Sequence, residues 1–200
     1  INFTINNFLV FSTLFGSIEK NESGHSILQK QDSNFVVLGN VDNDVLILEA
    51  DNKGNVIWSQ SYGGSQLDEA YHFENTSDGG YIISGSTRSY GFGGSDIWLI
   101  KSGSNGLIEW NTYIGTEYDE QGGQVIQTED GGYLVVGNRI NDQRQDSDVW
   151  LIKTNSQGDS VWTKTYGGLG EDIGSDIIQI ENNGYILLGS TTSYGDGDYN

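Results

Sequence analysis

The chain has 200 residues, and its 28 acidic and 9 basic residues give a formal net charge of −19 at pH 7. This charge repels nucleic acid and anionic lipid head groups, which are therefore poor partners. The chain contains no cysteine, which excludes disulfide bonds, thiolate metal sites and a cysteine nucleophile.

The first apolar segment, residues 8–16 (FLVFSTLFG), aligns with residues 55–63 (NVIWSQSYG) and places Phe11 beneath Trp58. It lacks the basic flank and the small-residue cleavage site of a signal peptide. We therefore predict an extra copy of the last strand of a repeat, which closes a sheet whose other strands come from elsewhere.

Three tryptophans then recur at a constant interval of 52 residues (110 − 58 and 162 − 110), namely Trp58, Trp110 and Trp162. The segment DIWLIK at residues 96–101 returns as DVWLIK at residues 148–153. A fixed period near 50 residues is typical of solenoids, propellers and arrays. The chain is therefore predicted to consist of structural repeats.

Each repeat contains four short segments that are β-branched or aromatic and are bounded by Gly, Asn, Asp and Ser, which predicts β-strands. No window has the apolar period and the caps of a helix. The predicted first strands are Ser23–Gln29, Glu69–Asn75, Gln121–Thr128 and Ile173–Ile180. The second are Phe35–Gly39, Tyr81–Gly85, Tyr133–Gly137 and Tyr185–Gly189. The third are Asp44–Glu49, Asp96–Lys101 and Asp148–Lys153, and the fourth are Val56–Tyr62, Leu107–Tyr113 and Ser160–Tyr166.

The second and third strands are apolar on both alternating faces, so both faces must be buried. Neighbouring sheets packed face to face would bury them, which favours a β-propeller over a single meander. The predicted fold is all-β: a β-propeller of four-stranded antiparallel blades, incomplete in this chain. A single domain over residues 1–200 then comprises a closing strand (8–16), three blades (17–64, 65–115 and 116–168) and a half blade (169–200). Such a set does not close a ring, so we expect the sequence to belong to a longer protein.

Acidic or amide side chains stand six residues after the aromatic residue of each corner, at Asn21, Asp68, Asp119 and Asp172. They could ring a channel mouth and bind a cation, but equivalent positions on adjacent blades are too far apart to share one calcium ion. We predict that they cap the turns instead, because Asn21 can perform that role as well. Each second strand also ends at a glycine, which predicts a bulge or a close backbone approach.

No catalytic residue is predicted, because the two histidines lie in different repeats and adjacent carboxylates on a strand point to opposite faces. Asp196 and Asp198 resemble the start of a calcium-binding loop, although its later ligands are missing. No metal site and no cofactor is predicted, and calcium bound by Asp196 and Asp198 is the alternative.

The connections between the second and third strands vary most in length, and variable loops on a rigid repeat often carry function. They contain all three arginines of the chain together with exposed-type aromatics, which are enriched at binding hot spots. The candidate ligand-binding residues are Arg88, Tyr90, Phe92, Arg139, Arg144 and Tyr194. The alternative is that the aromatic side chains fold back onto the sheet and the arginines offset nearby acids.

The composite pattern W-x3-YGG…DGGY-φ-φ-x-G…D-φ-W-L-φ-K, where φ is apolar, resembles the β-propeller repeats of large secreted bacterial surface proteins. Many of those proteins carry a C-terminal type IX sorting domain. The resemblance covers residues 8–200 and implies secretion and exposure at a cell surface. The first repeat departs from it, because Glu49 stands where the others have lysine.

We therefore expect a non-enzymatic extracellular module whose loops bind protein or glycan at a bacterial cell surface. Outer-membrane and secretion-machinery proteins are further candidate partners. One alternative is a secreted cargo or scaffold subunit of a cell-envelope assembly. A second alternative is a propeller enzyme that acts on polysaccharide.

Overall fold

The computed structural model describes residues 20–141, 146–181 and 184–194. These ranges form antiparallel β-sheets and contain no α-helix, and none of their elements is a helix that could span a membrane. The predicted closing strand, Arg144, Asp196 and Asp198 lie outside the described residues.

The strands fall into four sheets that follow one another along the chain. The first sheet comprises β1 (Glu22–Gln29), β2 (Phe35–Val41), β3 (Asp44–Ala50) and β4 (Val56–Tyr62). The second comprises β5 (Asp68–Asn75), β6 (Tyr81–Thr87), β7 (Asp96–Ser102) and β8 (Ile108–Ile114). The third comprises β9 (Glu120–Gln121), β10 (Val125–Gln127), β11 (Tyr133–Asn141), β12 (Asp146–Thr154) and β13 (Ser160–Tyr166). The fourth comprises β14 (Asp172–Ile180) and β15 (Gly184–Thr191).

Apart from β9 and β10, strands of one sheet that are adjacent in sequence pair with each other, so each sheet is an antiparallel meander. The all-β prediction and the positions of the predicted strands are confirmed. One difference is in the third sheet, where the first strand is divided into β9 and β10, which both pair with β11. The division falls at Gly122, whose N–H donates to Ser86 Oγ of the preceding sheet at 3.1 Å instead of to β11.

A second difference concerns the connection that was predicted to hold Arg139. Strands β11 and β12 continue to pair as far as Arg139 opposite Asp148 and Asn141 opposite Asp146. The strands are longer here than predicted because cross-strand pairing continues past Gly137, the predicted end of the second strand. Arg139 therefore lies on a strand, and the prediction that it belongs to a loop was wrong.

The sheets pack face to face, with alternate residues of one strand entering different cores. Ile83 of β6 lies in the core between the first and second sheets, whereas its neighbour Ile82 lies in the core between the second and third. A third core joins the third and fourth sheets through Leu134, Val136 and Ile177. The prediction that both faces of the second and third strands are buried is confirmed for the second and third sheets.

The repeated tryptophans occupy equivalent places at the three junctions between sheets. Each lies on the last strand of one sheet and packs against the tyrosine that begins the second strand of the next. The ring-centroid distances are 6.4 Å for Trp58–Tyr81, 5.6 Å for Trp110–Tyr133 and 6.4 Å for Trp162–Tyr185. One type of junction therefore builds the whole described structure.

The glycine near the middle of each second strand allows the first strand of the same sheet to approach closely. A Cβ at Gly85 would lie 2.1 Å from the backbone oxygen of Glu69, and the first strand bulges at this point, between Ala70 and His72. The same approach occurs at Gly39, Gly137 and Gly189. Both parts of the prediction for these glycines, a bulge and a close backbone contact, are confirmed for the second sheet.

The bulge also creates a hydrogen bond between sheets, because it frees a backbone N–H from the ladder. A side chain on the second strand of the preceding sheet accepts from this N–H. The bonds run from Ala70 N to Asn40 Oδ1 at 3.0 Å, from Gly122 N to Ser86 Oγ at 3.1 Å and from Gly174 N to Asn138 Oδ1 at 3.1 Å. These bonds fix the position of each sheet against the next.

Candidate functional site

The described parts of the variable connections and the corners between sheets lie at one end of the sheets, because the strands are antiparallel and the second and fourth strands of a sheet run in the same direction. We call this end the loop rim. Its described segments are residues 42–43, 63–67, 88–95, 115–119, 167–171 and 192–194.

The corners of the loop rim are fixed by buried carboxylates at the start of the first strands. Asp68 accepts hydrogen bonds from Gly64 N at 2.8 Å, from Ser89 Oγ at 2.7 Å and from Thr87 Oγ1. Asp172 likewise accepts from Gly168 N at 2.9 Å and from Ser193 Oγ. The prediction that Asp68 and Asp172 cap turns is confirmed.

The prediction that Asp119 belongs to this set was wrong, because the residue in the equivalent place is Glu120. Glu120 accepts from Thr116 N at 2.9 Å, which matches the bond from Gly64 N to Asp68. The strand register explains the difference, since Ile114, and not Tyr113, occupies the place of Tyr62.

Asp119 instead joins two neighbouring parts of the loop rim. It accepts from Ser95 N at 2.6 Å and lies 3.6 Å from the guanidinium group of Arg88. Because both side chains are substantially exposed, solvent screens this ion pair and its contribution to stability is small. The contact holds Arg88 at the boundary between the second and third sheets.

Two buried carboxylates face each other at the same boundary, those of Asp96 and Glu120. A Cβ at Gly115 would lie 1.8 Å from Asp96 Oδ1 and 2.7 Å from Glu120 Oε2, so the corner glycine leaves room for both groups. Asp96 Oδ2 accepts from Phe92 N at 2.8 Å, whereas Oδ1 is buried without a hydrogen-bond partner in the described part of the chain.

Burial raises the pKa of Asp96 above its ordinary value, and the nearby charge of Asp119 raises it further. Burial likewise raises the pKa of Glu120, against hydrogen bonds from Thr116 that lower it. No cluster of three or more metal-ligating side chains occurs in residues 20–141, 146–181 and 184–194. The two carboxylates therefore lie close together at this corner, where burial disfavours the charged form of each.

Tyr90 and Tyr194 fold back onto equivalent corners. Tyr90 donates its hydroxyl proton to the carbonyl of Gly63 at 3.0 Å, and Tyr194 donates to the carbonyl of Gly167 at the same distance. The Tyr90 ring also stacks on Tyr113, with 5.2 Å between centroids. Both side chains stay partly exposed, so each has a supporting contact and a free ring surface.

Two apolar side chains of the loop rim are largely exposed. Phe92 has 70% of its surface exposed, and Leu169, on the connection from the third to the fourth sheet, has 90%. The N–H of Phe92 donates to Asp96 Oδ2. Next to Leu169, the N–H of Gly170 donates to Ser193 Oγ at 2.9 Å. These exposed side chains are therefore carried by hydrogen-bonded turns.

Arg139 lies beside a small hollow of the loop rim. Its guanidinium carbon is 5.7 Å from the centroid of the Tyr118 ring, and its Nε is 3.8 Å from Glu120 Oε1. Tyr118, Arg139, Ile140 and Asp148 line the hollow, which has a volume of about 100 Å³. The hollow could hold a small group of a larger ligand, such as a methyl group or a single polar substituent, but not a whole sugar ring.

The structure thus brings Arg88 and Arg139 to the two sides of the segment 117–120, and it places Tyr90 and Tyr194 at separate corners. Tyr118 and Leu169 were missed as candidate site residues. Their signal in the sequence was an apolar side chain within connections that are otherwise polar or glycine-rich. Both stand at positions where the equivalent residue of another repeat is polar or glycine.

Comparisons with known proteins find likenesses among solved structures. No family model and no curated protein matches the chain. Among solved structures, the chain is similar to a protein of unknown function from Bacteroides caccae, with a TM-score of 0.39 and 12% sequence identity. The alignment covers 72% of this chain and 67% of that chain.

Proposed function

We propose that this chain is a non-enzymatic binding module of an extracellular β-propeller, in which the loop rim binds a protein or a glycan at a bacterial cell surface. In this architecture the first three sheets are blades, and β14 and β15 are half of a fourth. The repeated junction supports this architecture, because the same tryptophan–tyrosine contact relates each sheet to the next.

The exposure of Phe92 and Leu169 carries the binding proposal. Exposed apolar side chains on hydrogen-bonded turns lose little conformational entropy when they bind, because their backbone is already ordered. Tyr90, Tyr118 and Arg88 lie on the same rim, and aromatic and arginine side chains are enriched at binding hot spots. The loop rim therefore combines apolar anchors with hydrogen-bond donors.

The charges of the loop rim favour a neutral or cationic ligand. Arg88 is paired with Asp119, and Arg139 lies near Glu120, so both arginines are partly neutralised. The whole chain carries −19 formal charges. A neutral glycan, which stacks its apolar faces on aromatic rings, or a protein surface with basic side chains fits these properties best.

The resemblance to secreted bacterial surface repeats supports a location outside the cell. A surface partner, including an outer-membrane or secretion-machinery protein, follows from that location. A module of this kind needs no catalytic group.

The proposal is tested by probing a glycan array and an array of bacterial outer-membrane proteins with the purified chain. We expect a bound spot whose signal falls about tenfold or more in Phe92→Ser and Leu169→Ser, since an apolar anchor is removed in each. The control is Leu107→Ser, which removes a comparably exposed apolar side chain at the opposite end of the sheets.

Equal binding by the rim variants and the parent would overturn the loop rim as the binding surface. Co-purification with a cell-envelope complex that both rim variants leave unchanged would support a cargo or scaffold role instead.

A further inference from the structure

A groove of about 940 Å³ lies beside the fourth sheet. It is lined on one side by the third sheet, through Leu151, Lys153, Trp162 and Tyr166, and on the other by Tyr185 and Leu187 of β15. Within the described residues, β15 pairs only with β14. In each of the other sheets, a third strand pairs with the second.

The equivalent space at the other two junctions is filled by the third and fourth strands of the following sheet. Between the first and second sheets, Trp98 and Ile100 of β7 complete the core. Between the second and third sheets, Trp150 and Ile152 of β12 do the same. At the third junction, the described residues contribute only strands β14 and β15 to this side.

The turn that joins the third and fourth strands makes the remaining contacts of a complete junction. The hydroxyl of Tyr62 donates to the carbonyl of Gly106, and the ring of Trp58 lies against the same glycine. Tyr62 is consequently only 7% exposed, whereas its equivalent Tyr166 is 46% exposed. Among the described residues, the groove is therefore an open copy of a junction that is complete at Trp58 and at Trp110, with the tyrosine–glycine hydrogen bond present at the first of these.

We propose that this groove docks a β-hairpin with the chemistry of the third and fourth strands of this repeat. The first strand of the hairpin adds to β15, as a peptide adds to an open sheet edge. Its aromatic and aliphatic side chains, spaced as in Trp98 and Ile100, enter the groove. A turn glycine with positive φ lies on Trp162, and its carbonyl accepts from the hydroxyl of Tyr166.

The residues of the interface indicate the occupant. The groove-lining residues Trp162 and Tyr166 are the repeat equivalents of Trp58 and Tyr62, so the partner that fits one pair fits the other. Gly106 and Gly158 have φ values of +76° and +87°, which a residue with a side chain adopts only with strain. A partner without such a glycine cannot approach the indole as closely. The inference does not depend on what the loop rim binds.

The test uses the full chain and a fluorescently labelled synthetic peptide of residues 94–116, which spans β7 and β8. We expect a saturable anisotropy change with one peptide bound per chain. Binding weakens about tenfold or more in Trp162→Ala, because the central aromatic contact is lost. It weakens about fivefold in Tyr166→Phe, which removes one hydrogen bond and leaves the fold intact. The control Ile57→Ser, at an exposed position of the first sheet, leaves binding unchanged.

A peptide with Gly106→Ala should bind about tenfold less tightly than the parent peptide, since the added methyl group meets the indole. Equal affinity of the two peptides would overturn the proposed geometry. An absence of saturable binding at about 100 μM peptide, a weak affinity for a hairpin of this size, would overturn the docking proposal. A dimer of the chain that the peptide does not dissociate would assign the groove to a second copy and overturn it too.

Discussion

The indole of Trp58 in the first sheet lies against Gly106 in the second, so closely that a Cβ on Gly106 would fall 2.6 Å from Cζ3 of the ring. The contact recurs between Trp110 and Gly158, where the corresponding distance is 2.5 Å. Both glycines also have positive φ. The turn between the third and fourth strands is therefore part of the junction between sheets as well as a local reversal of the chain.

Replacement of Gly106 by alanine tests this double role. Gly79 has a similar φ, +85°, but a Cβ there would have no neighbour within 4 Å. We expect Gly79→Ala to lower the free energy of unfolding by about 1–2 kcal/mol through backbone strain alone. Gly106→Ala should lower it by roughly 1–3 kcal/mol more, because the methyl group overpacks the indole. Urea unfolding measures both, and equal losses would contradict the contact.

The first repeat differs from the second by the acidic residue Glu49 at a buried position, and the basic residue Lys30 compensates for this difference. Glu49 is buried and accepts from Lys30 Nζ at 2.9 Å and from Trp58 Nε1 at 2.9 Å. In the second repeat the buried residue at this place is Lys101, which pairs with Asp78 at 3.0 Å. The first repeat thus departs from the others in two positions at once, and the ion pair is kept.

We expect Glu49→Lys alone to lower the free energy of unfolding by about 3 kcal/mol, because it buries a second cation beside Lys30. Combining it with Lys30→Thr should restore at least half of that loss. The double variant has threonine and lysine at the positions of Thr76 and Lys101 in the second repeat. Asp32 already stands at the position of Asp78. Chemical denaturation of the two variants measures the recovery, and additive losses would contradict the pairing.

Two turn carboxylates predict a loss of stability in acid. A hydrogen bond from Thr76 lowers the pKa of Asp78 to about 2, with help from Gly80 N and Lys101. A hydrogen bond from Thr128, with Gly132 N and Lys153, lowers the pKa of Asp130 to about 2.

Because both folded-state pKa values lie below the unfolded value, ionisation of these groups stabilises the fold above about pH 4. That stabilisation is lost as the pH falls from about 4 to about 2. The variant Asp78→Asn with Asp130→Asn should lose less stability over this range than the parent. Thermal unfolding at intervals of pH measures the slope, and parallel curves for variant and parent would refute the assignment.

The pair of Asp96 and Glu120 predicts the opposite dependence on pH. Burial raises the pKa of both groups, so their contribution is largest below the unfolded pKa values and is lost as the pH rises through the folded ones. In Asp96→Asn, a neutral amide replaces the carboxyl group beside Glu120, and its N–H can donate to Glu120. We expect this variant to gain stability relative to the parent as the pH rises above about 4, the unfolded pKa of these groups. A difference from the parent that does not change with pH would contradict a close pair.

The strands could be predicted from the sequence because the same four segments recur at a fixed interval. Their apolar faces also required cover on both sides, which the stacked sheets provide. The corner at Glu120 was missed because Asp119 was chosen by residue type and distance from Tyr113. The 52-residue interval, counted from Tyr62, leads to Ile114 and so to Glu120.

The position of Arg139 depended on information that a single strand does not carry. Whether β11 continues past Gly137 is decided by its pairing with β12, including Arg139 opposite Asp148. The contacts of Tyr90 could not be predicted either, because a tyrosine in a glycine-rich loop can bind a ligand or donate a hydrogen bond to the corner carbonyl. Gly63 and Tyr113 supply its contacts, and neither is adjacent to it in sequence.

The central claim is that one kind of junction, made by a tryptophan of one sheet and a turn glycine of the next, joins these sheets. A double-mutant cycle between Trp58→Ala and Gly106→Ala measures it most directly. We expect Gly106→Ala to cost at least about 1 kcal/mol less in the Trp58→Ala background than in the parent, since the clash is removed. The same cycle with Gly79→Ala should be additive. Additivity in both cycles would show that Trp58 and Gly106 do not meet, and would contradict the stacked arrangement.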